Sequence, residues 1–346
     1  MSENVIAGAP VALGTGATSK RALRLGWWLT VCTGCLGAAL LACHLLWSTT
    51  THDPRAILPP AGETLPGEAP FRFAVLGDNR GNMSVFEDIL AGVKREDVRF
   101  IIHTGDLVSR CSPENFRWLL HELGEENLDV PFCATPGNHD LVDGPEDAVA
   151  RASEYTRAFG PRQYWFACAN TLLVAFDDAD GHCTAEDLRW LDDTLARLRS
   201  RYTACFVYMH VPPRDPRPGK SHALEEGSAE LIRVLKKHRV SAVLAGHIHA
   251  CLEDELDGIP VYITGGAGAR LVEEAKGYHC LICTVRRDGS LDMQTRYVPA
   301  QADTDHLEYV WWTKFPGNAV LFLGTGLLAT AAVLGGAGWL RRGPRR

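Results

Sequence analysis

Short apolar runs that end in turn residues recur along the middle of the chain. Five of these runs have the composition of buried strands, and each is followed by a residue type that binds metals, usually beside a glycine. The runs and the residues that follow them are 71–76 with Asp78, 100–103 with Asp106, 130–134 with Asn138, His139 and Asp140, 205–209 with His210, and 242–245 with His247 and His249. Ligands of α/β sheets bind outside the carboxyl ends of the strands, so we expect these turns to converge on one rim.

Helical spacing of apolar residues separates the predicted strands. It predicts helices over 85–93, 113–123, 148–159 and 229–238, and a helix capped by Thr184 whose leucines share one face. The segments 163–166 and 171–176 form a predicted hairpin, and the strands 261–264, 280–285 and 291–298 are expected to close a second sheet. The predicted fold class is therefore α/β, a two-sheet β-sandwich flanked by helices.

Two apolar runs, 25–47 and 319–340, exceed the roughly 18 to 20 residues that a helix needs to span a bilayer. Basic residues precede the first run and follow the second, and positive flanks stay in the cytoplasm. We therefore predict one N-terminal and one C-terminal transmembrane helix, with the intervening chain outside the cytoplasm, on the periplasmic or cell-surface side. A cleaved signal peptide, or a lipoprotein processed at Cys43, remains an alternative for the first run.

These boundaries divide the chain into seven segments. They are a cytoplasmic tail (1–24), a transmembrane helix (25–47), an extended linker rich in proline (48–70), the main domain (71–298), a juxtamembrane segment (299–318), a second transmembrane helix (319–340) and a basic cytoplasmic tail (341–346).

Composition narrows the functional classes. The chain of 346 residues is 46% apolar, enough for a full core, and its net charge is −7, although seven basic residues flank the apolar runs. An acidic outer part argues against nucleic-acid binding, which requires a basic face. Eleven cysteines permit disulfides outside the cytoplasm. Cys280 and Cys283 are spaced like a zinc-binding pair, but no second pair accompanies them, and their apolar strand favours a core role.

The five turns occur in the order of the motifs of the calcineurin-like metallophosphoesterase superfamily, which the chain resembles over about 71–298. The family motifs are Gly-Asp-x-His, Gly-Asp, Gly-Asn-His-Asp/Glu, His and Gly-His-x-His. The turn from Gly137 to Asp140 and the segment from Gly246 to His249 carry the specific part of the resemblance. Arg80 departs from the pattern, because the family most often has histidine at that position.

The resemblance implies two divalent metal ions of the Mn, Fe or Zn kind, whose identity the sequence leaves open. Asp106 would bridge the two ions. The residues Asp78, Asp106, Asn138, His210, His247 and His249 are the predicted metal ligands. A metal-bound hydroxide would attack the phosphoester, and His139 would act as the general acid.

Asn138 and Arg80 are the predicted substrate-binding residues. Arginine cannot ligate a metal, but its guanidinium group can hold two phosphate oxygens. The alternative interpretation is that Arg80 points away from the site and pairs with a surface carboxylate. Some family members steady the catalytic histidine with an aspartate where this chain has Ser109.

The combined prediction is a membrane-anchored, metal-dependent phosphoester hydrolase that acts outside the cytoplasm. Its predicted partners are a phosphoester substrate and the lipid bilayer, and no nucleic acid. The alternative is a metallophosphoesterase-like binding scaffold with weakened turnover, and a nuclease is disfavoured by the acidic outer surface. The polar loop 214–227 is expected to overhang the site, whereas His103, inside a strand, is expected to pack in the core.

Overall fold

A computed structural model describes residues 27–42, 62–80, 82–141, 152–299 and 323–333. The chain divides into two units. One is Thr51–Lys314, and the other combines Met1–Thr50 with Phe315–Arg346.

The larger unit alternates strands and helices. Its helices are α1 (Met83–Val93), α2 (Pro113–Glu125), α3 (Ser153–Phe159), α4 (Ala185–Leu198) and α5 (Ser228–Lys237). Its strands are β1 (Thr64–Leu65), β2 (Phe71–Leu76), β3 (Ile101–His103), β4 (Phe132–Ala134), β5 (Tyr164–Cys168), β6 (Thr171–Ala175), β7 (Ala204–Tyr208), β8 (Ala242–Ala245), β9 (Cys251–Leu256), β10 (Ile259–Thr264), β11 (Tyr278–Val285) and β12 (Leu291–Val298).

The strands form two sheets. The seven-stranded sheet has the order β1-β5-β6-β7-β8-β10-β9, and the five-stranded sheet has the order β12-β11-β2-β3-β4. Strands β2, β3 and β4 are parallel to one another, as are β6, β7, β8 and β10. The carboxyl ends of each parallel set therefore lie together, which is the arrangement that gathers the motif turns.

Three buried clusters hold the layers together. Between the sheets lie aromatic and aliphatic side chains such as Phe73, Phe100 and Phe206, and the rings of Phe73 and Phe100 stack with centroids 5.1 Å apart. The outer face of the five-stranded sheet packs against α1, α2 and α3, and that of the seven-stranded sheet packs against α4 and α5. The predicted two-sheet sandwich flanked by helices is confirmed.

Local signals predicted most elements well. Helix α4 begins at the predicted cap, where the Thr184 hydroxyl accepts the Asp187 amide and the Asp187 carboxylate accepts the Thr184 amide. The predicted hairpin is β5–β6. The first four residues of the helix predicted over 148–159 lie outside the described residues, and α3 covers the last seven.

The placement of three strands differs from expectation. The sequence predicted that 261–264 would join 280–285 and 291–298, but β10 pairs in parallel with β8 in the seven-stranded sheet. Strand β9, which pairs with β10, was not predicted because its run of acidic residues resembles a loop. Strand β1 lies within the predicted linker and pairs with β5. Partner choice depends on long-range backbone hydrogen bonds, which periodicity does not encode.

The described cysteines are all free thiols. Cys280 and Cys283 are buried in β11, and burial raises the pKa of Cys280 to about 12. This supports the core role that the sequence favoured. His103 is also fully buried, as expected, and burial lowers its pKa to about 3.

The smaller unit contains two helical segments, 27–42 and 323–333. They approach closely at glycines, because a Cβ added at Gly37 would lie 2.8 Å from the carbonyl oxygen of Gly324. Among the residues that the structure describes, no helix has both the length and the apolar character needed to cross a membrane. Parts of both predicted spans lie outside the described residues.

Candidate active site

The motif turns of both sheets meet at one place. Asp78, Asp106 and Asn138 follow β2, β3 and β4 of the five-stranded sheet, whereas His210 and His247 follow β7 and β8 of the seven-stranded sheet. The site therefore lies where the carboxyl ends of two parallel sets of strands face each other, rather than on the rim of one sheet. The structure brings all the predicted ligands together, and their roles as ligands remain predictions.

The backbone is strained at three of these positions. Asp78, Asp106 and His247 have φ angles of 60°, 57° and 65°. Such left-handed conformations are uncommon for residues other than glycine and are retained where the surrounding structure enforces them, often at functional sites. Here they turn the chain sharply at the strand ends, where the three residues meet.

Glycines allow these turns to touch. A Cβ added at Gly137 would lie 2.2 Å from the Asp106 amide nitrogen, and one added at Gly246 would lie 2.7 Å from a carboxylate oxygen of Asp78. Either methyl group would push apart turns that carry site residues. This explains why glycine accompanies the polar residues in the sequence pattern.

One group of ligand atoms surrounds His210. Its Nε2 lies 3.1 Å from Asn138 Oδ1, 3.1 Å from His247 Nδ1 and 3.4 Å from Asp106 Oδ1. Its Nδ1 donates to the carbonyl oxygen of Thr104 at 2.9 Å, which leaves the lone pair on Nε2 facing the site. Burial, with neighbouring imidazoles and Arg80, lowers the pKa of His247, which keeps that ring neutral as well.

The second group consists of Asp78, Asp106 and His249, whose ligand atoms all lie within 4.8 Å of one another. His249 Nδ1 donates to the carbonyl oxygen of Arg270 at 2.7 Å, and its Nε2 lies 3.4 Å from Asp78 Oδ1. Burial lowers the pKa of His249, but the Asp78 carboxylate more than offsets this and the pKa is raised.

Arg80 lies within this second group rather than pointing away from it. Its Nε forms an ion pair with Asp106 Oδ2 at 2.9 Å, and its Nη2 lies 3.4 Å from His249 Nε2. Its Nη1 also contacts His139 Nε2. A permanent positive charge therefore stands beside three predicted functional side chains.

The backbone on both sides holds His139. Its amide donates to Asp106 Oδ1 at 2.9 Å, and its Nδ1 donates to the carbonyl oxygen of Ser109 at 2.8 Å. The sequence analysis noted the absence of the family's supporting aspartate at Ser109. The backbone of that residue supplies the acceptor instead, and it turns Nε2 of His139 toward the site.

Two buried carboxylates that the sequence analysis assigned no role support the turns. Asp140 accepts the amides of Leu107, Val108 and Gly137 at 2.8 to 3.1 Å, which ties the second motif to the third. Burial and the charge of the neighbouring Asp106 raise the pKa of Asp140 above its usual range. Asp140 ends the Gly-Asn-His-Asp motif, so its position in the motif was an available signal.

Asp178 supports the other sheet. It accepts the amides of His210 and Val211 at 2.8 and 3.0 Å and so fixes the start of the fourth motif. Burial raises its pKa well above the usual range. The two consecutive aspartates after β6 were the sequence signal for this residue.

The loop 214–227 reaches the site, as predicted. The ring of His222 lies against the ring of His247, with centroids 4.1 Å apart. Asp215 anchors the loop by accepting two side-chain hydrogen bonds from Arg217 and the amide of His222, all at 2.9 Å.

The donor set fits divalent cations. Asp78 Oδ1 and Asp106 Oδ2 are buried and accept no hydrogen bond from any residue that the structure describes, and the contact of Arg80 with Asp106 lacks hydrogen-bond geometry. Carboxylate oxygens, an amide oxygen and imidazole nitrogens with their lone pairs facing one another are the ligands of Mn, Fe or Zn. Asp106, Asn138, His210 and His247 would hold one cation, and Asp78, Asp106 and His249 the other.

The sequence model of the calcineurin-like phosphoesterase family matches residues 71–251. The chain belongs to this family. Calcineurin-like phosphoesterases use a dinuclear divalent metal centre, in agreement with the two ligand groups. The chain is accordingly a metallophosphoesterase, in the class of phosphoric ester hydrolases.

Individual relatives are distant. The chain is 25% identical to a probable cyclic nucleotide phosphodiesterase of a Psychrobacter species, over 61% of this chain and 67% of that protein. It is 27% identical to the 3′,5′-cyclic adenosine monophosphate phosphodiesterase of Haemophilus influenzae, over 52% of this chain and 65% of that protein. The chain thus spans about two thirds of the length of these relatives.

A solved structure supports the fold. A purple acid phosphatase from yellow lupin superimposes with a TM-score of 0.54 at 17% identity, over 67% of this chain and 52% of that one.

Proposed function

We propose that this metallophosphoesterase is anchored to a membrane and hydrolyses phosphoesters outside the cytoplasm, with His139 as general acid and Asp106 at the centre of the metal pair. One observation carries the catalytic part. Ligand atoms of Asp106, Asn138 and His247 lie within 3.4 Å of His210 Nε2. Beside them, the backbone of Ser109 orients His139 inward.

When bound, the two cations would activate water and neutralise charge on the phosphoryl oxygens. The protein side chains contribute the rest. Water oxygen forms a bond to phosphorus and releases one proton to the solvent as the bond from phosphorus to the leaving oxygen breaks. That leaving oxygen receives a proton from Nε2 of His139, whose other nitrogen is held by Ser109. Arg80 and Asn138 orient the phosphate, with the guanidinium fork suited to two of its oxygens.

The two phosphodiesterase relatives favour phosphodiesters as the substrates of this chain. We propose a test with 4-nitrophenyl phosphate, bis(4-nitrophenyl) phosphate and 3′,5′-cyclic adenosine monophosphate in Mn, Zn and Mg. Hydrolysis that requires an added or retained metal and is abolished by chelation is expected for at least one of these esters.

Asp106→Asn is the decisive variant because Asp106 belongs to both ligand groups. It should lower metal content and hydrolysis together, since an amide provides one neutral oxygen in place of a charged, bridging carboxylate. The matched control is Asp192→Asn, which alters a surface carboxylate paired with Lys237 and His238. Full activity with normal metal content in Asp106→Asn would refute the assignment.

One observation favours the alternative of a weakened, scaffold-like phosphoesterase. The charge of Arg80 lies 2.9 Å from Asp106, where it opposes a cation held by Asp78, Asp106 and His249. A wild-type chain that binds one metal and hydrolyses none of the esters would favour this second function.

The membrane part of the proposal rests on the two apolar runs and their basic flanks. Further support is the glycine contact between segments 27–42 and 323–333, because small residues at helix contacts are typical of membrane helices.

A further inference from the structure

A cavity of about 450 Å³ opens beside the reaction centre. Arg80 and His249 form its inner wall, and Ser109, whose carbonyl oxygen holds His139, lies on its border. The remaining wall comes from Asn82, from Tyr278 and from the loop that ends at Arg270. Arg80 of the inner wall contacts Nε2 of His139, the nitrogen that would give a leaving group its proton, so the cavity lies next to the general acid.

The loop that carries Arg270 is held rigidly against the site. Its Ala267 and Ala269 amides donate to the carbonyl oxygens of Gly77 and Asp78 at 3.0 and 2.7 Å. A Cβ added at Gly268 would lie 2.5 Å from the carbonyl oxygen of Asn79, so the two segments pack without space for a side chain. The carbonyl oxygen of Arg270 itself accepts Nδ1 of His249. The position of Arg270 relative to the metal ligands is thus set by hydrogen bonds.

The charge of the cavity is opposite to that of the whole molecule. Two arginines line it and no aspartate or glutamate does, although the chain has a net charge of −7. Arg270 is exposed and forms no ion pair with any carboxylate in the part of the chain that the structure describes. A cationic recess in an acidic protein attracts anions and gives them a fixed partner.

We propose that this cavity binds a second anionic group of the substrate, a phosphate or carboxylate attached to the leaving group, and that Arg270 is the residue that selects it. This inference rests on the proposed function, because it describes the substrate of the same site. Arg80 faces the scissile phosphate in this arrangement, and Arg270 faces the far end of the leaving group. The cavity is large enough for an aryl- or nucleoside-sized group, since ligand pockets begin at about 300 Å³.

A pair of synthetic esters isolates the second charge. 4-(Carboxymethyl)phenyl phosphate and 4-(carbamoylmethyl)phenyl phosphate differ in that charge but have nearly the same leaving group. The metal-loaded full chain should prefer the carboxylate ester about tenfold in kcat/KM, mainly through KM, because a charge-assisted hydrogen bond contributes about that much to binding. Arg270→Gln should reduce the preference to about one, and Arg270→Lys should keep part of it.

Arg214→Gln is the matched control, because Arg214 is an exposed arginine bound to Asp254 outside the cavity lining. It should keep the wild-type preference. A wild-type preference of about one, or a preference that Arg270→Gln leaves intact, would overturn the inference while hydrolysis of both esters upheld the proposed function.

Binding of 4-hydroxyphenylacetate, measured by calorimetry on the same proteins, separates the two ideas further. If the protein hydrolyses neither ester, the proposed function is contradicted. The affinity for 4-hydroxyphenylacetate would still decide this inference: binding weakened about tenfold in Arg270→Gln supports the cavity as an anion site, and equal affinity in both proteins rejects it.

Discussion

At the scale of single residues, the site is built from side chains whose orientation is set by backbone groups. Three backbone carbonyl oxygens, those of Thr104, Ser109 and Arg270, each accept a hydrogen bond from Nδ1 of a site histidine. The other ring nitrogen of each histidine then faces inward. Such partners fix the tautomer and the direction of a ligand or acid. The predicted roles of His139 as general acid and of Arg80 as a phosphate-binding residue depend on these orientations.

His139→Ala should preserve metal content but reduce the rate about 10²- to 10⁴-fold, the usual contribution of a general acid. The loss should be smaller for 4-nitrophenyl esters than for alkyl esters, because a good leaving group needs less protonation. The control is His238→Ala, which removes a partly buried histidine that pairs with Asp192 outside the site. Equal losses for good and poor leaving groups would remove His139 from this role.

Arg80→His should bind the second metal at least about tenfold more tightly than the wild type. The change removes a positive charge that lies 2.9 Å from Asp106 and adds a nitrogen ligand. Arg80→Ala removes only the charge, so its gain should be smaller, and its KM for phosphoesters should rise. Calorimetric titration with Mn or Zn measures the affinities. Identical stoichiometry, affinity and KM in all three proteins would show that Arg80 affects neither metal nor substrate.

At the scale of elements, the turns after the strands are joined by buried carboxylates and shaped by glycines. Asp140 links the turn after β4 to the turn after β3, and Asp178 links the end of β6 to the turn after β7. Each turn is therefore held by a neighbouring element, so a ligand position depends on packing between strands. The loop 214–227 has an anchor of its own in Asp215.

Asp215→Asn should loosen the loop and raise amide hydrogen exchange over 214–227 about tenfold, the effect of losing a charge-assisted hydrogen bond. Burial raises the pKa of the Asp215 carboxyl. Hydrogen bonds from Arg217 and from the amide of His222 outweigh burial and lower the pKa to about 2. The carboxylate therefore contributes its full stabilisation above its unfolded pKa of 3.8 and loses it only as the pH falls toward 2.

The ratio of exchange rates between Asp215→Asn and wild type should consequently stay constant from about pH 7 to about pH 4. Asp257→Asn, at an exposed carboxylate paired with Lys236, is the control and should leave the loop unchanged. A ratio that declines already between pH 7 and pH 5 would show that Asp215 is not the anchor.

At the scale of the whole molecule, the catalytic unit is bounded by apolar runs at both ends of the chain. Their basic flanks predict that both termini lie in the cytoplasm and that the phosphoesterase unit lies outside it. The orientation decides which phosphoesters the enzyme meets.

A reporter that is active only outside the cytoplasm tests this topology. Fused after Thr304, it should be active, and fused after Arg346, it should be silent. Matched expression of the two fusions, measured by immunoblotting, is the control. The opposite pattern would contradict the two-span topology and indicate a different orientation or a processed N-terminus.

The sequence by itself determined the elements and the chemistry of the site. Helix caps such as Thr184, the strand-then-turn pattern and the order of the motifs are local, because each depends on neighbours within a few residues. Tertiary structure decided what depends on distant partners. It moved β10 into the seven-stranded sheet, placed Arg80 against Asp106 and gave Asp140, Asp178 and the carbonyl oxygen of Ser109 their supporting roles. Strand pairing and ion pairing join residues far apart along the chain, and the folded backbone sets those distances.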